Sequence, residues 1–209
     1  MRNTFRSRLA PLLLAAAAAV AWLAPLAAGA APVAQPLTYE GYAFDTSARV
    51  ADTELVLNGL GKRAALAIYK VYAAALYLPR KQAVAAAILA DTGPRRLQLR
   101  MLMDGPSEEF VKAFDKGLAK RVPADQLATM QPRVAEFDTG LRAIGDLHKG
   151  DVVNLDYAPG HGTAIIFNGK PRGGVVAGAD LYAAVLGIFI GDKPIDKGLK
   201  AGLLGGPPN

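Results

Sequence analysis

The sequence has no cysteine, only two histidines and a single tryptophan. Without cysteine the chain has no disulfide, no thiolate metal site, no cysteine nucleophile and no thioether lipid anchor, so its stability must come from an apolar core. The histidines, His148 and His161, stand in the turn sequences His-Lys-Gly-Asp and Pro-Gly-His-Gly. Neither lies at ligand spacing from a helical carboxylate, so no metal is expected, and no other cofactor is either. Basic clusters with interleaved aromatics are missing too. Lys and Arg are scattered among carboxylates, which argues against a nucleic-acid partner.

The first feature that is present is an address. Arg2, Arg6 and Arg8 precede an uncharged, alanine-rich run from Leu9, and Ala28-Gly29-Ala30 follows it. This is the pattern of a secretory signal peptide over residues 1–30, cleaved near Ala30, with a periplasmic destination. The run is long enough to span a bilayer, but Pro11, Pro25 and the peptidase site favour removal, so no stable membrane anchor is expected. Taking away residues 1–30 removes three of the 24 Lys and Arg and none of the 18 Asp and Glu, leaving a net charge of +3. Residues 31–209 then suit one domain of ordinary size.

Within that domain "LTYEGYAF" and "TELVLNG" alternate as two strands. A glycine-rich turn, "NGLGKR", precedes a long strand with Tyr72, Ala74 and Leu76 on one face and Ala73 and Ala75 on the other. Both faces are apolar, so this strand should be central and covered twice. "RKQAVAAAILAD" reads as a helix closed by Gly93-Pro94, and "RRLQLRMLM" as a strand. Helices are expected over Ser107–Lys120 and after Pro123, where Leu127, Met130, Val134, Phe137, Leu141 and Ile144 recur every three or four residues. A hairpin follows around Pro159 to Gly162, and then a helix over Ala179–Ile190. Strands, then helices, then a hairpin and a helix make an α+β domain, its sheet mostly antiparallel with helices layered on one side.

Four places invite a chemical reading. "NGLGKR" matches neither the phosphate loop nor the dinucleotide fingerprint, because a strand rather than a helix follows it. The acidic residues after Asp104-Gly-Pro suit the first turn of a helix. Phe110 and Phe114 are core residues first, although two aromatics facing a sheet also wall a flat ligand. Arg63, at the mouth of the two-sided strand, is either a solvated turn residue or a fixed cation able to fork onto a carboxylate or phenolate.

"LNGLGKRAALAIYKVYAAALYLP", "DGPSEEF" and "LYAAVLGIFIGDKPIDKGLKAGLLG", in that order, resemble the chalcone isomerase superfamily over residues 38–206, and more narrowly its bacterial exported branch. The resemblance implies an open-faced β-sandwich, a large sheet under a helical layer, with a ligand cleft between them. The family's plant enzymes close a ring using an arginine, two threonines, a tyrosine and an asparagine. Arg63 stands at the arginine, Tyr72 and Ile188 stand at the threonines, and the region of Glu108 and Lys116 offers no match for the other two.

An isoleucine cannot donate a hydrogen bond, and one lost oxyanion donor costs about a hundredfold or more. The superfamily also holds non-catalytic members that bind fatty acids, with the arginine on the carboxylate. The expectation is therefore a binding protein for a small amphipathic or acidic molecule such as a fatty acid, an aromatic acid or a tetrapyrrole. Arg63, Tyr72, Phe110, Phe114 and Ile188 would be its ligand contacts. An intramolecular lyase and a protein-interaction module are the alternatives, and the oligomeric state is left open.

Overall fold

The computed structural model describes residues 35–65 and 69–209; the expected leader, residues 1–30, lies outside them. The chain opens with β1 (Leu37–Tyr39), β2 (Tyr42–Phe44), β3 (Ser47–Val50), β4 (Thr53–Ala65) and β5 (Tyr69–Leu78). After α1 (Ala85–Ala90) come β6 (Arg95–Met101), β7 (Gly105–Pro106), α2 (Ser107–Ala119), α3 (Ala124–Arg142) and β8 (Asp146–Leu147). The chain ends with β9 (Val152–Ala158), β10 (Gly162–Phe167), β11 (Lys170–Val176), α4 (Ala179–Ile190) and α5 (Lys197–Leu203). One seven-stranded sheet in the order β11-β10-β9-β6-β5-β4-β3 dominates, every neighbouring pair antiparallel. The architecture is the α+β arrangement of a large curled sheet with helices.

The sheet buries two unequal faces. Tyr72, Ala74, Leu76, Leu97, Leu99, Met101, Val153 and Leu155 point to the helices and form the main core with residues of α2, α3 and α4. Ala73, Ala75 and Tyr77 point the other way, into a smaller cluster with Phe44, Leu55 and Leu57 that the β1–β2 hairpin partly covers. The double burial expected from the two apolar faces thus runs from Tyr72 to Leu78. In β6 the period of two is complete: Arg95, Leu97, Leu99 and Met101 are buried, and the residues between them are half-buried. Helix α4 has no charged residue after Asp180 and buries Leu181, Tyr182, Val185, Leu186, Ile188, Phe189 and Ile190. A helix apolar on most of its surface belongs inside.

Several local expectations give way to tertiary contacts. "NGLGKR" is not a turn but the interior of β4, whose bulges fall between Leu57 and Gly59 and between Arg63 and Ala64. Its glycines are there because α5 lies against the strand backbone: a Cβ on Gly59 would collide with the Gly202 carbonyl oxygen, and one on Gly61 would sit 2.9 Å from that of Leu199. Buried Asn58 stitches the same junction, donating from Nδ2 to the carbonyls of Leu203 at 2.8 Å and Gln82 at 3.0 Å and accepting from Gln82 N–H at 2.7 Å.

The long strand expected after Arg63 begins only at Tyr69, and residues 66–68 lie outside the described ones. "LTYEGYAF" is the β1–β2 hairpin, reversing at Glu40 and Gly41, both with positive φ. Helix α1 is half its expected length, and β3, β11 and α5 are additions to the expected elements. Asp104 does not cap α2; its Oδ1 accepts from Lys149 N–H at 2.7 Å, and Glu108 and Glu109 occupy the first turn.

Candidate ligand cavity

Antiparallel pairing of β4 with β5 sets Arg63 directly opposite Tyr72, at the end of the sheet nearest the α2 N-terminal half. On α2 a spacing of three and four residues presents Phe110, Ala113 and Phe114 on one face. From α4 come Ile188 and Phe189, and Ile195 follows in the loop before α5. These side chains, with Val71 and Glu109, enclose a cavity of about 270 Å³ between sheet and helices. All five residues expected at the site, Arg63, Tyr72, Phe110, Phe114 and Ile188, line it.

The walls are aromatic and aliphatic. Tyr72 tilts against Phe110 at 5.9 Å and Phe189 at 6.3 Å between ring centroids, and Phe114 stands 6.1 Å from Phe189. Gly117, one helical turn beyond Ala113, leaves room for Ile188; a Cβ there would lie 2.8 Å from its Cδ1. Phe110 and Phe114 also close off a narrower apolar gap behind them, bounded by Leu99, Leu141 and Leu155.

Polar groups are few and gathered at one end. Arg63 Nη1 is buried and has no hydrogen-bonding partner among the described residues. A guanidinium N–H so placed costs free energy until an acceptor reaches it. Tyr72 is 4 % exposed. Burial pushes its phenol well above the usual tyrosine range, against the pull of the adjacent Arg63 charge, so it remains a neutral donor at pH 7. Glu109, the third polar lining residue, is exposed and engaged with Lys112 at 2.8 Å. The cavity can therefore offer an anionic oxygen two donors and offer everything else hydrocarbon. No group of three or more metal-ligating side chains occurs among the described residues.

Sequence reasoning missed Val71, Ala113, Phe189 and Ile195, and also Glu109, which it assigns only to the first turn of a helix. The first three were within reach, being one residue from Tyr72, three from Phe110 and one from Ile188. Ile195 carries no local signal, because it is brought in by the path between α4 and α5. Arg95 was read only as part of a strand, yet it is fully buried. Its Nη1 donates to the Ile88 carbonyl at 2.6 Å, and its guanidinium lies 5.1 and 5.4 Å from the Tyr182 and Tyr157 rings.

A curled antiparallel sheet carries an apolar cavity beneath its helical layer, with Arg63 in its lining. The chain belongs to the chalcone isomerase-like family, whose model matches residues 36–205. Among solved structures it is similar to an Arabidopsis thaliana fatty-acid binding protein, with a TM-score of 0.61 at 18% identity over 81% of this chain and 96% of that one. At that identity the likeness shows the fold alone. No curated protein matches the chain in sequence.

Proposed function

We propose that the protein is a non-catalytic binding protein of the exported bacterial branch of the family, holding a small amphipathic acid with its acid group at Arg63 and its apolar part among Phe110, Phe114 and Ile188. The observation that carries this reading is the buried Arg63 Nη1, without a partner among the described residues, beside neutral Tyr72 in a mostly apolar cavity. A buried guanidinium N–H beside a neutral phenol suits a carboxylate. The fatty-acid binding neighbour supports the ligand class. The basic residues ahead of an alanine-rich run and the Ala-Gly-Ala site support export.

A chalcone-type ring closure draws support from the same Arg63–Tyr72 pair, which could hold a phenolate. Buried Ile188 opposes it, having no donor to give the second developing charge. An interaction module whose cleft is filled by its own side chains is at odds with the open volume beside Arg63.

The test is direct. Protein purified from its own host is examined by native mass spectrometry for a bound acid, and its melting is followed with dodecanoate, hexadecanoate and aromatic acids. A ligand at a hundred times its Kd stabilises by about 2.7 kcal/mol, and Arg63→Gln should abolish most of that shift. Absence of any co-purifying acid together with unmoved melting curves would sink the reading. Turnover of a chalcone above the protein-free rate would favour the enzyme instead.

A further inference from the structure

Arg63 borders a second hollow of about 210 Å³ as well as the apolar cavity. The two share Arg63, Ala113 and Ile195, so an acid group seated at Arg63 lies on the threshold of both. The second hollow differs in character. Arg63, Lys116, Lys120 and Arg121 all line it, and no carboxylate does. None of these four cations forms an ion pair among the described residues.

Cations at the C-terminal end of a helix complement its dipole, and this accounts in part for Lys116, Lys120 and Arg121 at the end of α2. It does not account for Arg63, which arrives from β4. Nor does it account for two buried guanidinium nitrogens, Arg63 Nη1 and Arg121 Nε, that have no acceptor among the described residues. Arg121 Nη1 already takes the Gly117 carbonyl at 2.7 Å, so the helix end is served and Nε is left over. Four like charges around one small volume repel each other and stabilise an anion that enters it.

We propose that this basic hollow holds a phosphomonoester head group, so that the ligand is a single-chain amphiphile with a phosphate at one end and its tail in the apolar cavity. This rests on the reading that the cavity takes an amphipathic acid. A carboxylate has one charge and two oxygens, which Arg63 and Tyr72 satisfy. A phosphomonoester carries close to two charges and three acceptor oxygens at neutral pH and can engage Arg63, Arg121 and the exposed lysines together.

The experiment compares dodecyl phosphate, dodecanoate and inorganic phosphate by titration calorimetry on the full chain and on Lys116→Gln/Lys120→Gln, both exposed positions whose change leaves the core intact. Dodecyl phosphate should bind about tenfold tighter than dodecanoate, and inorganic phosphate far more weakly than either. The double variant should reduce that preference to about twofold while dodecanoate affinity holds. Equal affinities for the two amphiphiles, or a preference untouched by the double variant, would overturn the phosphate site and leave acid binding standing. Inorganic phosphate binding as tightly as dodecyl phosphate would overturn it as well, by detaching the hollow from the cavity. If neither amphiphile binds, the acid-binding reading falls and this inference falls with it.

Discussion

Arg63 and Arg95 both carry buried guanidinium nitrogens with no hydrogen-bonding partner among the described residues, yet they stand in opposite surroundings. Arg95 is wedged between the faces of Tyr157 and Tyr182, tied to the Ile88 carbonyl and surrounded by packed core. Burial draws its pKa below the usual arginine value, and the two aromatic quadrupoles return part of the lost solvation. Arg63 lines two hollows and has no aromatic face under its charge among the described residues. An orphaned donor in filled space is a structural element; the same donor beside open volume marks a candidate site. Burial by itself does not separate the two.

The largest expected effect lies at Arg95. Arg95→Ala removes a fully buried side chain and should cost about 3 kcal/mol of unfolding free energy, read from urea midpoints, as large core truncations do. Arg63→Ala should change stability by no more than about 0.5 kcal/mol. Similar losses for both would erase the distinction between wedge and site.

Tyr72→Phe sharpens the contrast at a smaller scale. It should weaken dodecanoate binding about fivefold, the contribution of one neutral hydrogen bond, without lowering stability. Unchanged affinity would mean that Arg63 meets the acid alone.

Asp138 supplies a control of opposite sign. It lies 7 % exposed on α3. Burial first, and then the neighbouring Asp115 charge, push its carboxyl up to about 6, with Arg142 pulling it down and Glu108 pushing it up. The folded state therefore holds the proton longer than the unfolded state, whose carboxyl titrates at ~3.9. Stability falls as pH rises between these two values, and the penalty persists above them. Asp138→Asn should raise the melting temperature at pH 7 and lose that advantage below pH ~4. A gain independent of pH would assign the effect to packing.

Much of the fold was legible along the chain where periodicity is strong. The bounds of α2, α3 and α4 follow from apolar recurrence every three or four residues, and the β9–β10 hairpin from alternation around Pro-Gly-His-Gly. Glycine defeated the local reading in β4. Gly59 and Gly61 resemble a turn in any short window, but they sit in β4 because α5 backbone lies against them. "KPRGGVV", to which no element is assigned from sequence, is the edge strand β11, where Pro171 is tolerated and where a Cβ on Gly173 would stand 2.7 Å from the Cα of Gly140 on α3.

The candidate site divides the same way. Without cysteine, and with both histidines in turns, the sequence by itself ruled out thiolate chemistry and left burial as the source of stability. Its apolar periodicities chose which face of each helix and strand goes inside, because that preference is a property of a few consecutive residues. What it could not decide is which buried faces meet. Arg63, Phe114, Ile188 and Ile195 are brought around one cavity by strand register, by a helix seated on glycines and by the path from α4 to α5. Those are sums of many weak contacts between distant segments, so only the tertiary structure could leave an empty space where a cation was waiting.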